Sequence, residues 1–122
     1  MVRSARRLHL GPALLAATVL LGGAGPAAAD SLTGEVVDLS CYLAHPDTGK
    51  GRGHRKCAET CLKKGLPAGL LTQDNKVYLL LEDHENAGAY EAVTGKAAET
   101  VTVEGKTVSL GGVQGIVVEA VK

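Results

Sequence analysis

TVTVEGKTVSLGGVQGIVVEAV, residues 100–121, decides the fold class. Thr100–Val103, Thr107–Leu110 and Gly115–Val121 are short runs rich in β-branched residues, with the period-two patterning of half-buried strands. Gly105 and the pair Gly111-Gly112 interrupt them where a turn or bulge belongs. Upstream, Ala68–Thr72 and Val77–Leu81 read as two further strands joined by the turn-formers Gln73-Asp74-Asn75. Asn86 can cap a short helix over Ala87–Val93, which Gly95 closes.

Residues 32–43 read as the first strand. Val37, Leu39, Cys41 and Leu43 alternate with Val36, Asp38, Ser40 and Tyr42, which places Cys41 at a strand end facing the core. A Gly-rich basic loop follows over residues 45–53; it lacks the strand–GxxxxGK[ST]–helix order of a phosphate loop. Residues 53–65 then predict a helix. His54, Cys57, Ala58, Cys61 and Leu62 recur at i, i+3, i+4, i+7 and i+8 and share one face. Arg55–Glu59 and Glu59–Lys63 are opposite-charge pairs at i,i+4 on the other face, and Gly65 with Pro67 marks the stop.

This order predicts a mainly β protein with short helices: a small Greek-key barrel of the oligonucleotide/oligosaccharide-binding (OB) type, with the Cys-bearing helix inserted after strand 1. The competing architecture is an open antiparallel sheet with both helices on one face.

The first 29 residues carry Arg3, Arg6 and Arg7, an apolar run from Leu14 to Leu21, and Ala27-Ala28-Ala29. A basic start, a short apolar segment and an A-x-A ending predict a secretory signal over residues 1–29 and a single domain over residues 30–122. The apolar run is short for a membrane span, and no Cys follows the cleavage site to carry a lipid, so no stable membrane anchoring is expected after cleavage. Both Sec export and a twin-arginine route through Arg6-Arg7 fit the signal. The expected location is periplasmic or extracellular.

Removing the signal takes three of the 13 basic residues and none of the 13 acidic ones, so 10 face 13 and the net charge is −3. An acidic chain without Phe or Trp lacks both phosphate-neutralising charge and stacking platforms, which argues against a nucleic-acid partner. All three cysteines fall in the exported part, where an odd thiol needs an explanation.

Gly34-Glu35-Val36-Val37-Asp38 leading to Cys41-Tyr42, then His54-x-x-Cys57-Ala58-x-x-Cys61, then residues 65–71 and Tyr78-Leu79-Leu80, resemble a group of small exported bacterial proteins with an OB-like barrel. The resemblance spans most of the exported part. It implies fold and export and no reaction.

Cys41, His54, Cys57 and Cys61 carry the chemistry. Helical spacing lets His54, Cys57 and Cys61 converge, and Cys41 completes a Cys₃His set suited to Zn²⁺. Thiolates with imidazole also suit Cu⁺. A disulfide from Cys41 to Cys57 or Cys61, leaving one thiol, competes with this reading, as does an inert buried face on which Cys acts as a small hydrophobe. A thiol-redox enzyme is a weaker reading. Lys50, Arg52, Arg55, Lys56, Lys63 and Lys64 surround the helix and would lower thiol pKa values, with Cys57 as nucleophile and Cys61 or Cys41 resolving. No catalytic set is assigned, and His54 and Cys57 lack an identifiable third orienting group. A further class is a binding module offering Tyr42, His45 and Tyr78 to a small ligand. His84, among Glu82, Asp83 and Glu85, reads as a solvated strand end rather than a cation site.

The leader reading has a direct check: Edman sequencing of the secreted product should begin at Asp30, and a product beginning at Met1 or Val2 would sink it.

Overall fold

The computed structural model describes Gly25 and residues 27–122; residues 1–24 and 26, which hold most of the expected signal, lie outside the described residues. Five strands close into a barrel in the order β1-β2-β3-β5-β4, with β1 Asp30–Asp38, β2 Ala68–Thr72, β3 Val77–Leu81, β4 Thr100–Leu110 and β5 Val113–Val121. All pairings are antiparallel except β3 with β5. That is the OB-like Greek-key barrel, and the open sheet is excluded.

β1 closes the barrel by serving two neighbours. Its first half pairs with β4 and its second half with β2, and Gly34 faces both Thr72 and Val101. A Cβ there would stand 2.5 Å from the Leu71 carbonyl oxygen, so the crossing needs glycine. β4 is one strand, not the two expected: Gly105 is a bulge at the Glu104/Gly105 register shift, and the chain pairs on through it. Gly111 and Gly112, at φ 60° and 80°, form the two-residue turn of the β4–β5 hairpin, so β5 starts two residues earlier than expected.

Inside the barrel lie Val36, Leu70, Leu80, Val103, Ile116 and Val118. Ala58 and Leu62 cap it from one helix, Val93 and Ala97 from the region of another. A second cluster forms on the outer face, where Val37 and Leu71 meet Leu39 and Tyr42. Both faces of β1 and β2 are thus buried at Val36-Val37 and Leu70-Leu71, where apolar residues stand side by side in the sequence.

The element covering that outer face departs from the expected strand over residues 32–43. The strand ends at Asp38, and helix α1 (Leu39–Ala44) begins. Asp38 is its N-cap: the side chain accepts a hydrogen bond from the Cys41 backbone N–H, which ends the ladder and starts the helix. Leu39 and Tyr42, three apart, are its buried residues, while Leu43 is exposed. A 3₁₀ turn (Arg52–His54) leads into α2 (Arg55–Lys63), and α3 (Ala87–Thr94) lies between β3 and β4. The end of α2 is as expected. Gly65, at φ 83°, donates to the Leu62 carbonyl and Leu66 to that of Cys61, a Schellman closure. Among the described residues no helix is long and apolar enough to cross a membrane.

A methyl group at Gly105 would run into the Val117 carbonyl oxygen, backbone against backbone. Gly105→Ala should therefore cost about 2 kcal/mol or more in urea unfolding. Gly88→Ala, on a residue with nothing within 4 Å of its added Cβ, should be neutral or stabilise by at most about 1 kcal/mol. Equal effects would refute the bulge assignment.

Candidate metal centre

Residues 39–66 place the cysteines and His54 at the end of β1. Ala58 and Leu62 are the residues α2 buries, and they fix its rotation against the barrel. With Ala58 and Leu62 turned inward, Cys57 and Cys61 lie to one side of the buried stripe. Cys57 is exposed and Cys61 half-buried, and Cys41 on α1 is half-buried as well. The shared inward face expected for His54, Cys57, Ala58, Cys61 and Leu62 thus splits: the aliphatic residues enter the core and the others line its rim. None of the three thiols is a buried small hydrophobe, so the inert-core reading fails.

The structure brings Cys41, His54 and Cys57 together in one group and places Cys61 in a second, overlapping group with Asp38 and Cys41. Ligand atoms of Cys41, His54 and Cys57 all lie within 4.8 Å of one another, and so do those of Asp38, Cys41 and Cys61. Cys41 belongs to both. The Cys41 and Cys57 sulfurs are 3.9 Å apart. A disulfide needs about 2.05 Å, and the three cysteines are free. Cys41 arrives from α1 rather than from a strand end, and His54 from the 3₁₀ turn that precedes α2.

Asp38 is the residue that sequence reading misses. It is the buried charged group among the described residues, fully enclosed. Oδ1 accepts from the Cys41 backbone N–H at 2.8 Å, and Oδ2 lies 3.0 Å from His54 Nε2. A buried carboxylate is costly unless paired, and these two contacts supply its partners. The available signal was an Asp three residues before Cys41 at a strand end, the position of an N-cap. Read instead as one member of a period-two run, it passed for an ordinary strand residue.

The thiols do not behave as the surrounding basic residues suggest. Burial pushes the Cys41 thiol up to about 12, helped by its hydrogen bond with Cys57 and by the Asp38 charge. The Cys61 thiol is also raised, first by burial and then by Asp38. Arg55, one of the basic residues around the helix, pairs with Glu59 at 3.1 Å and with Glu99 at 2.6 Å. Glu59 takes Arg55 rather than Lys63. The surrounding basic residues therefore do not activate Cys41 or Cys61, the two thiols expected to act as resolving groups in a redox enzyme. Tyr42 is on the buried face of α1 in the cluster with Val37 and Leu71, not presented to a ligand, whereas His45 is exposed and Tyr78 packs partly against the core. His84 is exposed and joins no ligand group among the described residues.

What the cluster can do chemically is hold a cation. Two sulfurs with an imidazole nitrogen in one group, or two sulfurs with a buried carboxylate in the other, are donors for a borderline or soft ion. A bound metal removes the thiol protons outright, so raised thiol pKa values weaken binding at low pH without forbidding it. No protein-family model matches the chain, and neither a curated protein nor a solved structure matches it. The site's chemistry is therefore read from its own residues.

Alkylation of the reduced, metal-free protein at pH 8 should modify Cys57 first. At that pH a thiol of pKa about 12 is ionised to about one part in ten thousand. Labelling of Cys41 should rise about tenfold per pH unit up to pH 10. Peptide mapping that finds Cys41 as reactive as Cys57 at pH 8 would contradict this environment.

Proposed function

We propose that this chain is an exported small protein that binds one metal ion, Zn²⁺ or Cu⁺, through Cys41, His54, Cys57 and Cys61. The observation that carries the reading is the Cys41–Cys57 sulfur separation of 3.9 Å with a His54 ring nitrogen within 4.8 Å of both. Two thiolates bound to tetrahedral Zn²⁺ at about 2.3 Å stand about 3.8 Å apart. The sulfurs of the metal-free chain already sit at that spacing, so little reorganisation opposes binding. The His54 imidazole, a borderline donor beside the thiols, suits Zn²⁺ as well as Cu⁺.

Export fits the same reading. β1 begins at Asp30, so cleavage after Ala29 leaves every strand of the barrel intact. Outside the cytoplasm free thiols are exposed to oxidation, and a bound metal protects them. Oxidation of Cys41 and Cys57, the neighbouring pair, to a disulfide is the competing fate. It would turn the cluster into a staple between α1 and α2 in a disulfide-stapled binding module.

The reduced protein should take up about one Zn²⁺ per chain in a competition titration against a chromophoric chelator. A hundredfold excess of Zn²⁺ over its Kd should add about 2.7 kcal/mol to stability. Cys41→Ser and Cys57→Ser should abolish uptake, and His54→Ala should weaken it by about tenfold or more. His84→Ala should leave it unchanged. Protein recovered from the exported fraction with a Cys41–Cys57 disulfide, one free thiol and no metal by elemental analysis would overturn the proposal.

A further inference from the structure

His54 has two ring nitrogens, and the metal reading leaves open which of them faces the ion. Asp38 decides it. Its Oδ2 stands 3.0 Å from His54 Nε2, and both groups are enclosed, Asp38 fully and the His54 side chain to 15 % exposure. A carboxylate has no hydrogen to offer, so this contact is a hydrogen bond only when Nε2 carries the proton. In the neutral ring the lone pair is then on Nδ1.

We propose that Asp38 is the positioning residue of the metal centre: it holds His54 in the Nε2–H form and so presents Nδ1 to the ion held by Cys41 and Cys57. This rests on the metal-binding reading above. It goes beyond it by adding a fifth residue and assigning the ligating atom. A metal-bound imidazole commonly donates its other N–H to a carboxylate, which fixes ring orientation and raises ligand basicity.

Both Asp38 oxygens are committed, and both commitments concern ligands. Oδ1 caps α1 through the Cys41 N–H and sets where that thiol sits. Oδ2 sets His54. One buried carboxylate thereby aligns two side chains thirteen residues apart in sequence and on different helical segments. The competing arrangement, in which Asp38 itself ligates alongside Cys41 and Cys61, draws on the second group of donor atoms. It would make a carboxylate oxygen that now accepts from the Cys41 N–H or faces the His54 ring a ligand of the ion as well.

Asp38→Asn separates these. Asn is an N-cap as good as Asp, so Oδ1 can keep its bond to Cys41. Its amide then turns an N–H donor toward His54, favouring a proton on Nδ1, where it blocks the metal. The experiment is long-range ¹H–¹⁵N NMR at pH 8 on the wild-type chain, metal-free and with ¹¹³Cd²⁺, together with Zn²⁺ titration of both proteins. Expected are an Nε2–H ring in the metal-free wild type and ¹¹³Cd–¹⁵N coupling to Nδ1 in the loaded form. Zn²⁺ affinity of Asp38→Asn should fall about 10–100-fold.

Coupling to Nε2, or an Asp38→Asn protein that binds Zn²⁺ as tightly as wild type, would overturn the assignment. A metal-free wild type protonated on Nδ1 would overturn it too, and that measurement stands even if the variant fails to fold. A wild type that shows the Nε2–H ring yet binds neither Cd²⁺ nor Zn²⁺ would bring down the metal reading, and with it Asp38's role there, by a distinct signature.

Discussion

The Asp38 carboxylate is the constraint on which the site depends. A fully buried charge is tolerated only where polar partners surround it, and here the partners are the Cys41 N–H and the His54 ring. Each partner fixes a piece of chain that the barrel does not hold by strand pairing. The first ends β1 and turns it into α1. The second ties the 3₁₀ turn to the end of β1. Besides the carboxylate, residues 39–54 are joined to the barrel by the packing of Leu39 and Tyr42, the Leu39 N–H bond to the Pro67 carbonyl and the Gly51 N–H bond to Glu35.

The barrel itself was legible because its local signals agree. β2 and β3 run from Ala68 to Thr72 and from Val77 to Leu81, as their apolar runs and the intervening turn-formers indicate. Asn75 adopts the left-handed backbone that such a turn residue tolerates. α3 extends one residue beyond the expected Val93, and Gly105 and Gly111-Gly112 sit at a bulge and a turn. The Cys-bearing helix after strand 1 is also where spacing put it, with the Arg55–Glu59 pair formed.

What escaped was the β1–α1 boundary, and the reason is physical. Val37, Leu39, Cys41 and Leu43 satisfy period two, but Leu39 and Tyr42 satisfy helical spacing equally well, and periodicity cannot choose between them in so short a run. The choice falls to the side chain of Asp38, which bonds locally to the backbone three residues on and outcompetes the sheet. The same misreading hid Asp38 from the site. Cys41 does lie beside His54 and Cys57, and in a second group beside Cys61, but it arrives from α1 and not from the expected strand end. Charge was misjudged for a related reason: sequence proximity of six basic residues says nothing of their direction, and Arg55 turns to Glu59 and Glu99 while Asp38 lies beneath the thiols.

The location of the cluster follows from packing. A barrel this small has room in its mouth for only a few side chains, and α2 fills its share with Ala58 and Leu62. The cysteines are displaced to the rim, where α1 and α2 come together at the end of β1 with a glycine-rich loop between them. Gly49 must be glycine because a Cβ would stand 2.7 Å from the Cys41 carbonyl oxygen, so the loop packs directly on the turn that carries the thiol. The chain from Cys41 to Cys57 is thus folded back without a strand to hold it. A cation bound to both thiols closes that loop in the folded state, and its binding energy stabilises the very segment that the barrel leaves least supported. On the proposed reading, a metal held there and the fold of residues 39–57 would support each other, with Asp38 bonded to both Cys41 and His54 as the link.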